Sequence, residues 1–185
     1  MRKTIIFSGL SILFLYGCDT YTDKNGDKKV ILYETEINKV SRAKDQAYEL
    51  IQTGKEQEAL KILEDIVNEN KTDKEVYYYL AIANGMLEKN EEAIRNCSEA
   101  IKLDPNYSSA YLNRGLLKCK LSKNEDALLD LNKAISINPK DPDSYMNRSI
   151  IYSALKQKDK ACEDIKKAKE LGGQIPEQLY KMTCE

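Results

Sequence analysis

The sequence predicts an all-α fold: a solenoid of about four helix-turn-helix repeats closed by a C-terminal capping helix. Three observations lead there. Small and apolar residues recur at one fixed spacing of 34 residues through most of the chain. Lys, Glu, Ala, Leu and Ile abound among the 185 residues, while glycine (8) and proline (4) are scarce, which favours helix over sheet. After Gly172-Gly173, the apolar residues Ile175, Leu179 and Met182 return at helical spacing, as a helix covering the last apolar face requires.

Residues 1–17 read as an export signal. Arg2 and Lys3 precede an apolar run from Ile5 to Tyr16. As a helix this run spans about 18 Å, short of the ~30 Å hydrocarbon core, so a permanent membrane span is disfavoured. Leu15-Tyr16-Gly17-Cys18 resembles the bacterial lipobox, which implies that Cys18 is acylated and becomes the new N-terminus. Buried acyl chains contribute about 0.8 kcal/mol per methylene, so two or more hold a protein on a bilayer. The expected location is therefore the cell envelope, lipid-anchored and facing the periplasm or exterior. Asp19 resembles an inner-membrane retention signal, but either membrane fits.

Residues 18–39 read as the lipidated cysteine and a linker. Asn25-Gly26 is a hairpin-turn signal and Val30 to Tyr33 is apolar, so a short hairpin fits here. Asp23 to Asp27 superficially suggests a calcium loop. An EF-hand would place its first ligand at Tyr21 and its last carboxylate at Leu32, so the spacing fails and no metal is expected.

The repeats occupy residues 40–73, 74–107, 108–141 and 142–175. With position 1 at Val40, Lys74, Ser108 and Pro142, position 8 reads Ala47, Ala81, Gly115, Ser149 and position 20 reads Ala59, Ala93, Ala127, Ala161. Position 24 reads Leu63, Cys97, Leu131, Ile165, and position 27 reads Ile66, Ala100, Ala134, Ala168. Antiparallel helices approach to about 8 Å only where side chains are small, so positions 8, 20 and 27 mark the crossings and the larger columns fill the space between. Pro105 and Pro139 stop the second helices of the two middle repeats and open the next turn.

This pattern resembles the tetratricopeptide repeat family over Val40 to Gly173. Tyr111, Gly115, Ala127, Leu131, Ala134 and Pro139 match it column for column, while the first repeat is degenerate, with Ala43, Ile66 and Lys71 in place of the aromatic, small and proline residues. The resemblance implies a concave face lined by positions 2, 5, 9, 12 and 13 of each first helix. On this chain these include Tyr78, Ile82, Met86, Leu112, Leu116, Met146 and Ile150. Position 6 of the family also faces the groove, where asparagine bonds a bound peptide backbone, which nominates Asn113 and Asn147. Arg114 and Arg148 stand at position 7 of the two repeats that carry Asp130 and Asp164 at position 23; the other two repeats lack both. That joint occurrence favours a structural ion pair over ligand contact.

Residues 176–185 form the expected cap, its helix running from Pro176 to Thr183. Beyond Cys18 four cysteines remain, which in an oxidising compartment permit disulfides in three connectivities. If the cap runs antiparallel to the last helix of the array, Cys162 and Cys184 come within about one turn and a bridge would staple the cap. Cys97 and Cys119 are displaced by roughly 6 Å along their helices, and Cys97, on a core column, equally reads as a buried free thiol.

The remaining features narrow the function. Histidine is absent, which removes the commonest general base and zinc ligand, and no nucleophile motif, phosphate-binding loop or CxxC pair is present. No enzyme activity and no cofactor are expected. Charge is nearly balanced, formally -1, so no broad field favours nucleic acid. Acidic pairs such as Glu91-Glu92 and Asp141/Asp143 belong at helix starts, where carboxylates suit the dipole. What remains is an apolar stripe flanked by two asparagines, suited to an amphipathic helix or apolar extended segment of another protein, unless the chain's own Val30 to Tyr33 covers it. The lysines and asparagines of carboxylate-clamp repeats are missing, so a C-terminal-tail receptor is not expected. Binding of a glycan or peptidoglycan fragment is the alternative, with the absence of tryptophan against it.

Overall fold

The computed structural model describes residues 16–22, 28–34, 36–69 and 73–185, with side-chain detail from Lys39 onward. The chain divides into two compact units, Met1–Gln46 and Ala47–Glu185. Most of the export-signal expectation, residues 1–15, lies outside the described residues, as do Asn25-Gly26 and the Asp23 to Asp27 segment.

In the first unit, β1 (Tyr16–Thr22) and β2 (Lys28–Glu34) pair antiparallel, with Cys18 opposite Leu32 and Thr20 opposite Val30. The sequence predicts mostly linker over this stretch. The ladder extends further because Val30, Ile31, Tyr33 and Thr20 to Thr22 are the β-branched and aromatic types that suit a pleated backbone. Helix α1 (Glu36–Gln52) follows and begins four residues before the expected start of the first repeat.

The second unit holds the end of α1 and then α2 (Glu56–Glu69), α3 (Lys74–Met86), α4 (Asn90–Leu103), α5 (Ser108–Lys120), α6 (Asn124–Ile137), α7 (Pro142–Ala154), α8 (Lys158–Glu170) and α9 (Glu177–Cys184). Helices α3, α5 and α7 start at positions 1 of the last three repeats, and each packs most extensively on the helix that follows it. The first helices also touch one another, α3 on α5 and α5 on α7, which is the stacking of a solenoid.

The small columns explain the stacking. Ala59, Ala93, Ala127 and Ala161 are all 0% exposed, as are Leu63, Cys97, Leu131 and Ile165. Gly115 shows how close the approach is. A Cβ there would lie 3.1 Å from Cγ of Leu131 and 3.2 Å from the carbonyl oxygen of Ala127, so the crossing of α5 over α6 has room for hydrogen alone.

Each first helix ends in the same way. Position 15 adopts the left-handed region in every repeat: Gly54 at φ 74°, Glu88 at 60°, Ser122 at 58° and Lys156 at 59°. The next residue's N–H then reaches back across the turn, from Lys89 to the Asn84 carbonyl, from Lys123 to Lys118 (both 2.9 Å) and from Gln157 to Tyr152 (2.8 Å). This satisfies carbonyls that a terminating helix would leave unpaired. Second helices stop at Asp104 and Asn138, directly before Pro105 and Pro139. Asp73 and Asp141 cap α3 and α7 by accepting hydrogen bonds from the N–H groups of Glu75 and Val76, and of Asp143 and Ser144.

The cap differs from expectation in its rotation. Met182, expected on the buried side, is 74% exposed, and Thr183 is 4% exposed. Leu179 and Tyr180 are half-buried. The buried stripe of the helix thus runs through Leu179, Tyr180 and Thr183 and leaves Met182 outside it. The side that carries Thr183 and Cys184 is the one joined to α8, through the bond between Cys162 and Cys184, whose Cα atoms lie 4.9 Å apart.

Candidate partner-binding face

The array sets the nominated residues in rows, one residue per first helix. Position 9 carries Tyr48, Ile82, Leu116 and Ile150, position 5 carries Tyr78, Leu112 and Met146, and position 13 adds Met86. Tyr48 (44% exposed), Met86 (52%) and Ile150 (44%) open to solvent, and Ile82, Leu116 and Met146 are half-buried. Leu112 packs on the cluster of Ala127, Leu131 and Ile151, so it is as much floor as contact surface. Asn113 is half-buried, and Asn147 donates one amide hydrogen to the Asp143 carbonyl of its own helix at 2.8 Å.

The end of this face toward the first repeat is aromatic. Tyr48 and Tyr79 have ring centroids 5.3 Å apart, Tyr78 lies 6.1 Å from Tyr79, and Tyr107 lies 5.1 Å from Tyr78. Lys74 sits over the Tyr107 ring at 5.2 Å and is ion-paired with Asp104. Burial pushes the Tyr78 and Tyr107 phenols above their ordinary range, which keeps both neutral. The sequence nominates Tyr78 alone of these four. The others occupy columns of mixed character, and only a contact between position 9 of one repeat and position 6 of the next reveals the cluster.

Arg114 and Arg148 face inward to carboxylates. Nε and Nη2 of Arg114 donate to the two oxygens of Asp130 at 2.8 and 2.7 Å, and those of Arg148 to Asp164 at 2.7 Å each. The remaining Nη1 reaches the preceding repeat at position 25, bonding Ser98 Oγ at 3.0 Å and Asn132 Oδ1 at 2.6 Å. Each arginine therefore ties its own helix pair to the helix pair before it. The paired carboxylate holds each guanidinium's pKa above its ordinary value. Tyr111 lies against Arg114, and Tyr145 and Tyr152 against Arg148. Lys118 is a second cation on Asp130, at 2.7 Å, which sequence recurrence does not suggest because position 11 varies between repeats.

Among the described residues no three His, Cys, Asp or Glu side chains converge as metal ligands, and no helix is long and apolar enough to cross a membrane. The chemistry of the face is thus apolar contact with a few amide and phenol groups.

Two tetratricopeptide repeat family models match the chain, one over residues 108–141 and one over 131–163. No curated protein sequence matches it. Among solved structures it is similar to a crystal structure of MamA, 28% identical over 74% of this chain and 80% of that one, with a TM-score of 0.68. A thermophilic TPR protein of Thermus thermophilus is 24% identical over 71% and 74%, with a TM-score of 0.65. The second TPR domain of human RPAP3, solved in complex with an HSP70 peptide, is 26% identical over 59% of this chain and 91% of that domain, with a TM-score of 0.57. Residues 108–163 carry tetratricopeptide repeats, and the array they belong to is a tetratricopeptide-type α-solenoid.

Proposed function

We propose that the mature chain is an envelope lipoprotein, tethered through an acylated Cys18, that grips a segment of another protein along the first-helix face of its repeats. The observation that carries the reading is the placement of Tyr48, Met86 and Ile150. They are large apolar side chains, 44–52% exposed, at positions 9 and 13 of an array whose crossing columns are closed. Rows of apolar groups open to water on one face mark an interaction surface. The RPAP3 domain, similar in fold, holds a peptide. In this chain the face is apolar, aromatic at one end and aliphatic over the rest, with two asparagines, so the segment it suits is an amphipathic helix or apolar stretch and not an acidic tail. The anchor rests on Leu15-Tyr16-Gly17-Cys18, and the Cys162–Cys184 bond is of a kind that persists in oxidising compartments. The tetratricopeptide-type array supports reading the chain as a binding scaffold.

A second reading, binding of a glycan or peptidoglycan fragment, draws on the Tyr48, Tyr79, Tyr78 and Tyr107 cluster, since aromatic rings present flat apolar surface. The test is chemical crosslinking of the protein in its own envelope, compared with the variant L116E/I150E. The scaffold reading expects a protein adduct that the variant loses while circular dichroism shows helicity retained. An adduct that survives, an adduct joining Val30 to Tyr33 to the face, or retention on purified sacculi with no protein adduct would count against it. Loss of acyl incorporation in Cys18→Ser tests the anchor separately.

A further inference from the structure

We propose that the Cys162–Cys184 disulfide is a redox latch: oxidised, it holds α9 over the end of the array, and reduced by a dithiol it lets α9 leave and uncovers α8. The reading is independent of what the first-helix face binds.

Apart from that bond, little fastens the cap. Helix α9 has eight residues, short of the ~12–15 at which an isolated helix persists in water. Thr183 is its one buried side chain, Leu179 and Tyr180 are half-buried, and Met182 is 74% exposed. The ion pair of Lys181 with Glu177 lies within the helix, so it does not join cap to array. Lys169 over the Tyr180 ring, at 4.9 Å, does. The connection from α8 runs through Gly172, in the left-handed region at φ 87°, and Gly173, where a Cβ would strike the Ala168 carbonyl. It is a short strap, held at Gly173 by the N–H bond to the Ala168 carbonyl and by close approach to Pro142, so the cap is fastened at this end and at the disulfide. Helices α3, α5 and α7, by contrast, are each followed by a second helix that packs on them extensively.

The bond is also within reach of solvent. A cleft of about 350 Å³, lined on α8 by Lys158, Asp159, Glu163 and Lys166, opens onto Cys162 and Cys184. Of the cysteines whose side chains are described, the other two, Cys97 and Cys119, are free; Cys97 is buried in one core cluster and Cys119 packs against another. In the reduction, a thiolate of the dithiol attacks one sulfur and the other cysteine leaves as a thiolate. The dithiol's second sulfur then displaces the protein from the mixed disulfide. Two electrons and two protons pass to the protein, leaving two cysteine thiols and a cyclic oxidised reductant.

The test is hydrogen exchange with peptide mass analysis on the intact mature protein, before and after dithiothreitol. The latch predicts exchange in residues 180–184 faster by about tenfold or more on reduction, with α5 and α6 unchanged, and the same pattern in C162S/C184S without reductant. Equal protection of 180–184 in both states would overturn it, because packing alone would then hold the cap. A bond that resists millimolar dithiothreitol in the folded protein would overturn it too, as would loss of protection throughout α5 to α8, which would make the bond a staple of the whole array.

Discussion

Removing Asp130 takes away the counter-charge that two cations of the third repeat share. Its carboxylate side chain is 6% exposed and receives Arg114 in a two-point contact and Lys118 at 2.7 Å. In Asp130→Ala two cations, each with a side chain 19% exposed, lose their shared counter-charge. Breaking a buried ion pair from one side costs about 3–5 kcal/mol. The cations here keep some solvent and Lys118 can extend its ammonium to water, which places the expectation at the low end, about 3 kcal/mol. Domains of this size have about 5–15 kcal/mol in all, so the loss is a large share and lowers the melting temperature by roughly 6–12 °C. Arg114→Ala leaves Asp130 its lysine and costs less, about 2 kcal/mol. Urea unfolding followed by circular dichroism measures both, and the double variant gives the coupling. A cost under about 1 kcal/mol for Asp130→Ala, or no coupling with Arg114, would refute the view that this carboxylate binds the third repeat together.

Four further outcomes are expected. Gly115→Ala destabilises by about 1–2 kcal/mol in the same assay: helix propensity gains up to ~1 kcal/mol, but the added carbon meets Leu131 and the Ala127 backbone. Glu88→Gly, Ser122→Gly and Lys156→Gly each leave the protein as stable or more so, by up to about 1 kcal/mol, since relief of the left-handed strain exceeds the extra chain entropy of glycine. Burial pushes the Cys97 thiol up to about 12, so it resists alkylation by iodoacetamide at pH 8 while the protein is folded and reacts once urea unfolds it. The Lys74 ammonium and the Asn106 N–H hold the Asp104 carboxyl below its ordinary value. Its stabilising contribution is present above the unfolded carboxylate range and fades as pH falls through the lower folded value, and a carboxyl-carbon NMR titration of wild type against Lys74→Met should show the depression shrink.

The fold was legible where one physical demand repeats. Helix crossings need small residues, so Ala59, Ala93, Ala127 and Ala161 announced the period, and two prolines announced the stops. The left-handed turn at position 15 was not read from the sequence; glycine, the residue that suits it, stands there only at Gly54. Glu88, Ser122 and Lys156 carry no signal of it, because the back-reaching hydrogen bonds impose the conformation on residues that would not choose it. The arginine and aspartate pairing was readable from joint occurrence, but Lys118 was not, since nothing recurs at its position. On α9 the periodicity placed Leu179 but not Met182, because the side joined to α8 by the Cys162–Cys184 bond carries Thr183. The tyrosine cluster arises between unlike columns of neighbouring repeats, a relation that only the stacked array displays.

The claim that the first-helix face receives a protein segment meets its most direct test in site-specific photo-crosslinking within the native envelope. The probe is placed in turn at Met86, at Ile150 and at Leu129, which is 68% exposed on the second helix α6 of the third repeat. The account predicts one common protein adduct from Met86 and Ile150 and none from Leu129; adducts of equal yield from all three, or from Leu129 alone, would contradict it.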